Sequence, residues 1–164
     1  SVVSKSKVPP AKAPQTMQGG EVDATIIQEP FATVIGEDGF REVAWSGEIL
    51  DGHPVTVMFA QQRVLDATET AEALVSAHVD ATEFVRNNPT KAATHASAVI
   101  GSGVSDDLAV RAMESTASNY LSDPHAITSQ TEQMAEYVAA VGNTDGTVSN
   151  ENLFHFDAYD ALDE

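Results

Sequence analysis

The sequence has no cysteine and only eight lysines and arginines among its 164 residues. The missing cysteines exclude a disulfide framework and any thiolate site. The scarcity of cations argues against nucleic acid as a partner, because phosphate binding needs a basic surface. No apolar run approaches the roughly 20 residues that span a membrane as a helix. No signal peptide is visible. The first residue is Ser, and "SVVSKSKVPP" reads as the middle of something. We therefore expect an excised fragment, so the missing signal decides nothing.

What the chain does have is acid. It carries 25 aspartates and glutamates, a formal net charge of -17 and a pI near 4.3. The acids are spread singly and in pairs, as at Glu69, Glu72, Asp80 and Glu83. That spread describes a whole solvated surface and not an acidic tail. Such a surface repels itself at low salt, whereas at about 1 M salt the Debye length is only about 3 Å. Few lysines, many acids and many alanines and threonines resemble proteins of salt-loving archaea. At 42% hydrophobic, the chain has enough apolar residues for a core.

Read along its length, the front looks strand-rich. "SVVSKSKV" predicts a short strand, and "PPAKAPQTMQ" a helix stopped by Gly19-Gly20. "VDATIIQ" is β-branched and nearly continuous in apolar residues, which predicts a buried strand. Pro30 fits the first position of a short helix, "PFATVIG". "FREVAWSG" and "PVTVMFAQQ" predict two further strands, separated by a turn at Asp51-Gly52.

From Thr68 onward the pattern is helical. One helix is predicted with Leu74, His78, Ala81 and Val85 on its inner stripe, then stopped by Asn88-Pro89. A second turns Ala92, Ala96, Val99 and Ile100 inward and closes near Gly101 and Gly103. Ser105 is placed to cap a third, with Asp106 and Asp107 at its positive end and Leu108, Ala112, Met113, Ala117 and Tyr120 on its stripe. Ser129 and Glu132 have capping-box spacing before a fourth, which carries Met134, Val138 and Val141 and stops at Gly142. "LFHFDAYDAL" reads as a last short helix.

Few of these residues form a pattern that carries chemistry. His53, His78, His95, His125 and His155 are scattered, with no His-Glu-x-x-His and no helical metal-ligand spacing. His155 and Asp157 have the types of a base and its orienter, but their alternation fits burial of Phe154 or Phe156 better. No Gly-x-Ser-x-Gly elbow, GxGxxG or P-loop occurs. Asp157, Asp160, Asp163 and Glu164 form an acidic end that reads as a solvated face. This leaves "IQEPF", where an apolar run ends in Gln28-Glu29 and a helix starts at Pro30. Glu29 has two readings: it complements the helix dipole, or it faces a ligand beside free backbone N–H groups.

"TMQGGEVDATIIQEPFATV" resembles a motif of ABC-transporter substrate-binding proteins of the nitrate/sulfonate/taurine/bicarbonate and thiamine-precursor type. The similarity continues through "HPVTVMFAQQRVLDATETAEALVSAHVDATEFVRNNPTKAA", "YLSDPHAITSQTEQMAEYVAAVG" and "ENLFHFDAYDAL", nearly the whole chain. The resemblance implies an α/β fold, the C-terminal part of a two-lobed, periplasmic-binding-protein-like (type II) architecture with a strand-rich front and a helix-rich back. Residues 1–50 are then the end of the second lobe. Residues 51–164 are the C-terminal portion of the first, with a crossing near Asp51-Gly52.

The same resemblance implies an extracellular, cell-surface-anchored solute-binding component of an ABC importer. Its partners are a small polar or anionic solute and a membrane permease. It implies no catalysis, no metal and no cofactor. The alternative within the fold is an enzyme making a thiamine pyrimidine precursor. Carried over by position, Asp23 and Ala24 are structural, Glu29 faces the cleft, and Gln28 and Phe31 line it. Relatives often have an aromatic residue where this chain has Gln28, which leaves the ligand class open. A fragment lacking its partner strands is also expected to expose apolar surface and self-associate.

Overall fold

The computed structural model describes residues 3–101, 104–115 and 118–163. Its helices, in chain order, are α1 (Ala13–Gln18), α2 (Phe31–Glu37), α3 (Ser46–Ile49), α4 (Gln62–Leu65), α5 (Thr68–Asn87), α6 (Pro89–Ile100), α7 (Asp106–Glu114), α8 (Thr128–Ala140), α9 (Asn150–Leu153) and α10 (Asp157–Asp160). Single 3-10 turns lie at Pro10–Lys12, Pro124–Ile127 and Ala161–Asp163. The chain divides into two compact units, Ser1–Val43 with Asn88–Asn119, and Ala44–Asn87 with Tyr120–Glu164.

The expected strand-rich α/β fold is not what forms. The described residues are 59% helical, and among them there is no strand and no sheet. The four segments read as strands, at 1–8, 22–28, 40–47 and 54–62, form no ladder among the described residues. Their β-branched composition was a correct statement of propensity, but a strand exists only through hydrogen bonds to a neighbour. The 22–28 segment shows what happens instead. Val22 and Ile27 pack onto the apolar cluster of Ala13, Met17 and Ile35, while Ile26 is left fully exposed at 104%.

The first unit is built on two helix pairings, α1 with α2 and α6 with α7, bridged by α2 on α7. α1 ends at the expected glycine stop, and α2 is likewise followed by a glycine. Gly20 and Gly39 have φ of +68° and +90°, a region costly for residues with a Cβ. After α2, Gly39 N–H donates to Gly36 O and Phe40 N–H to Ile35 O. This is the Schellman pairing, and the accompanying apolar contact is present, since Phe40 packs against the cluster containing Ile35. Ser105 caps α7 as expected, its Oγ accepting from Leu108 N–H at 3.2 Å.

The α6–α7 pair encloses the second cluster, Ala93, Val104, Leu108 and Ala109. Small residues at 92, 93, 109 and 112 let the two helices approach closely. The expected inner stripe of α6 is only partly right. Ala92 is buried, but Ala93 and Ser97 join it, and Val99 is 87% exposed. Gly103 and Ala117 lie outside the described residues.

In the second unit α5 is the longest element, and α4, α10 and the last 3-10 turn pack on it. Its buried face is centred on Ala71 and Thr82, not on the expected Leu74, His78 and Ala81, which are exposed. Both faces of α5 carry apolar residues at helical spacing, so periodicity alone does not choose between them. The expected Ser129–Glu132 capping box does not form. Thr128 already begins α8, Ser129 Oγ donates to Gln130 Oε1, and Glu132 Oε1 accepts from Asn150 Nδ2 at 2.7 Å.

Candidate functional site

Glu29 sits in the first unit, at the turn that leads from the 22–28 segment into α2. Its peptide bond to Pro30 is cis. Pro30 is the residue flanking the helix and Phe31 its first member. The first turn of any helix leaves backbone N–H groups without helical partners. Here Ala32 N–H donates to Gln28 O at 3.3 Å. Thr33 N–H donates to Glu29 Oε2 at 3.1 Å, and Thr33 Oγ1 donates to the same oxygen at 2.9 Å. One oxygen of Glu29 is therefore fully used as a helix cap.

The other oxygen is not. Oε1 of Glu29 is buried and has no hydrogen-bond partner among the described residues. A carboxylate oxygen kept from water without a donor is costly, so such an atom asks for an explanation. The arrangement can hold an incoming N–H or O–H donor: the Thr33 bonds fix the carboxylate, and Oε1 remains to accept.

The neighbours differ in role. Gln28 is exposed, with its backbone carbonyl engaged by α2. Phe31 is half-buried and packs, with Val34, against the Ala93, Val104, Leu108 and Ala109 cluster. It thus anchors the start of α2 to the α6–α7 pair. Thr33 was not singled out in the sequence. The available signal was its position four residues after Glu29, where a helical turn brings it under the carboxylate.

The histidines do not gather. Among the described residues no group of three or more His, Asp or Glu side chains is placed to hold a metal ion. The His155–Asp157 combination is replaced by another: His125 Nε2 lies 2.8 Å from Asp160 Oδ1 in the second unit. The His125 ring stacks on Phe156 at 4.3 Å, and Phe156 stacks on Phe154 at 5.3 Å. This set is a packing cluster that ties the 124–127 turn to α10.

The pattern of the NMT1-like family matches residues 1–101, more than half of the chain. The chain belongs to the NMT1-like family. That family is related to ABC-type substrate-binding proteins, so the membership carries a substrate-binding role at a coarse level. The matched part holds Glu29 and everything through α6; α7 to α10 lie beyond it, although the resemblance was expected along nearly the whole chain. No curated protein and no solved structure matches the sequence.

Proposed function

We propose that the chain is the solute-capturing component of an ABC importer, that it works outside the cell at the surface, and that it hands its solute to a membrane permease. Family membership supports the class. The single observation that supports the site is the unused, buried Oε1 of Glu29. An acceptor with a negative charge favours a solute that presents a donor, such as the amino group of a pyrimidine thiamine precursor. It disfavours nitrate and sulfonates without an amino group, whose oxygens are themselves acceptors and carry like charge. Gln28 supplies a second, adjustable contact. Phe31 holds the turn in place through its packing. The acidic surface fits operation at high salt, as in salt-loving archaea.

The test is calorimetric titration at high salt with an aminopyrimidine, taurine, nitrate and bicarbonate. Heat is expected from the aminopyrimidine, and Glu29→Gln is expected to weaken that binding by about tenfold or more. Thr33→Val, which loosens the cap but keeps the carboxylate, should weaken it less. Heat from nitrate or bicarbonate alone would overturn the role given to Glu29, and heat from none of the four would overturn solute capture itself.

A further inference from the structure

The two compact units share the chain's charge unequally. The first, Ser1–Val43 with Asn88–Asn119, holds six Lys and Arg against nine Asp and Glu, a formal -3. The second, Ala44–Asn87 with Tyr120–Glu164, holds two against sixteen, a formal -14. They share the core unequally too. The cluster of Ala13, Met17 and Ile35 and that of Ala93, Val104, Leu108 and Ala109 both belong to the first unit. Among the described residues the buried apolar side chains of the second unit are Ala71 and Ala158, and both are small. Its larger ones, such as Phe59, Tyr137 and Val141, are exposed. Burial of apolar surface is the dominant favourable term in folding, and a net charge far from zero opposes the compact state. The second unit has little of the first and most of the second.

We propose that the second unit is a salt-gated element: it folds only where salt screens its own carboxylates, while the first unit, which holds Glu29, stays folded to lower salt. In the first unit Arg111 of α7 meets Glu37 of α2, so a cation joins two of its helices. In the second, α8, α9 and α10 contain no Lys or Arg. The docking of α10 on α5 brings two acidic helices together. One carries Asp157 and Asp160, and the other carries four acids against Arg86 alone.

Helices in contact lie about 8–10 Å apart. At about 1 M salt the Debye length of about 3 Å is shorter than that spacing, and repulsion between the two helices is screened. At about 0.01 M it is about 30 Å, and the whole unit feels its own charge. With so little apolar surface buried, the second unit has little to set against that repulsion. Stability need not be uniform along a chain, and such a unit opens without the rest.

The experiment takes the full 1–164 chain from high salt downwards. Hydrogen exchange resolved by mass spectrometry follows both units. The fluorescence of Trp45, the chain's single tryptophan, reports on the second. Amides of α5 and α8 are expected to lose protection, and Trp45 to change, at about twofold or more the salt at which α6 and α7 open. Glu83→Lys with Glu136→Lys, both at exposed positions, makes the second unit four charges less negative. This pair should lower the second unit's midpoint by about twofold. Glu42→Lys with Glu114→Lys makes the same change in the first unit and should leave the Trp45 midpoint where it is. If a lysine variant fails to fold, exchange in the native chain decides alone. Loss of protection in all four helices together, earlier opening of α6 and α7, protection of α5 that persists without salt, or equal Trp45 shifts from the two charge reversals overturns the proposal.

Discussion

Ser97 of α6 donates its hydroxyl to the carboxylate of Asp106 in the first turn of α7. The two residues tie together the helices that enclose the Ala93–Leu108 cluster. Ser97 is buried, so its hydroxyl has little access to water if Asp106 is lost. Thr94 O, at 3.1 Å, is its other acceptor. A hydrogen bond to a charged group contributes about 1.5–3 kcal/mol, and the exposure of Asp106 places this one at the low end. Ser97→Ala is expected to destabilise the protein by about 1–2 kcal/mol, read from the urea midpoint at fixed salt. An unchanged midpoint would show that the bond contributes nothing.

Gly36 inside α2 and Gly39 just beyond its end are expected to respond with opposite sign. Gly36 is helical and has nothing within 4 Å of where a Cβ would sit. Gly36→Ala should therefore stabilise by roughly 0.5–1 kcal/mol, through helix propensity and a less disordered unfolded chain. Gly39 is equally uncrowded, but its φ is +90°. Gly39→Ala should cost about 1 kcal/mol from backbone strain alone. Thermal melts of the pair under one buffer test this. Shifts of the same sign would contradict the Schellman description of this helix end.

In the second unit, His125 stacks on Phe156 while its Nε2 meets Asp160, so one side chain holds the 124–127 turn to α10 in two ways. The His–Asp pair is about half exposed, at 47% and 57%, and such pairs contribute at most about 1 kcal/mol. A stacked aromatic pair contributes about 0.5–1.5 kcal/mol beyond its burial. Phe156→Ala should therefore destabilise more than Asp160→Asn. A double-mutant cycle between His125→Ala and each of these measures the two couplings. A larger coupling to Asp160 than to Phe156 would reverse this ranking.

The helices were legible in the sequence because their ends are local chemistry. Gly19-Gly20, Ser105 and the Asn88-Pro89 step each settle a boundary through the residues beside it. The strands were misread because pairing is not local: "VDATIIQ" has the propensity, but this chain offers it helices to lie against, and Ile26 is left in solvent. The face of α5 failed for a related reason. Leu74 is only one turn from Ala71, and the docking of α4, α10 and the last 3-10 turn decides that Ala71 is buried while Leu74 stays exposed. At the candidate site, Glu29 was visible as a carboxylate before a proline. The division of labour between its two oxygens depends on Thr33, whose hydroxyl meets Oε2 only once the turn is formed.

The surface charge yields the last prediction. With 25 acids against eight lysines and arginines, most carboxylates have no cation to meet. Asp80 and Glu83 show the consequence locally: both are exposed on α5, three residues apart, where like charges oppose the helix. At about 1 M salt the Debye length of about 3 Å screens such pairs, and at about 0.01 M it grows to about 30 Å. Lowering the salt should therefore unfold the helices cooperatively, followed by far-ultraviolet circular dichroism. The Asp80→Asn, Glu83→Gln double variant removes two charges without touching the core, and its transition should move to lower salt. If repulsion is not what limits folding, the helical signal will persist in salt-free buffer and the double variant will behave like the native chain.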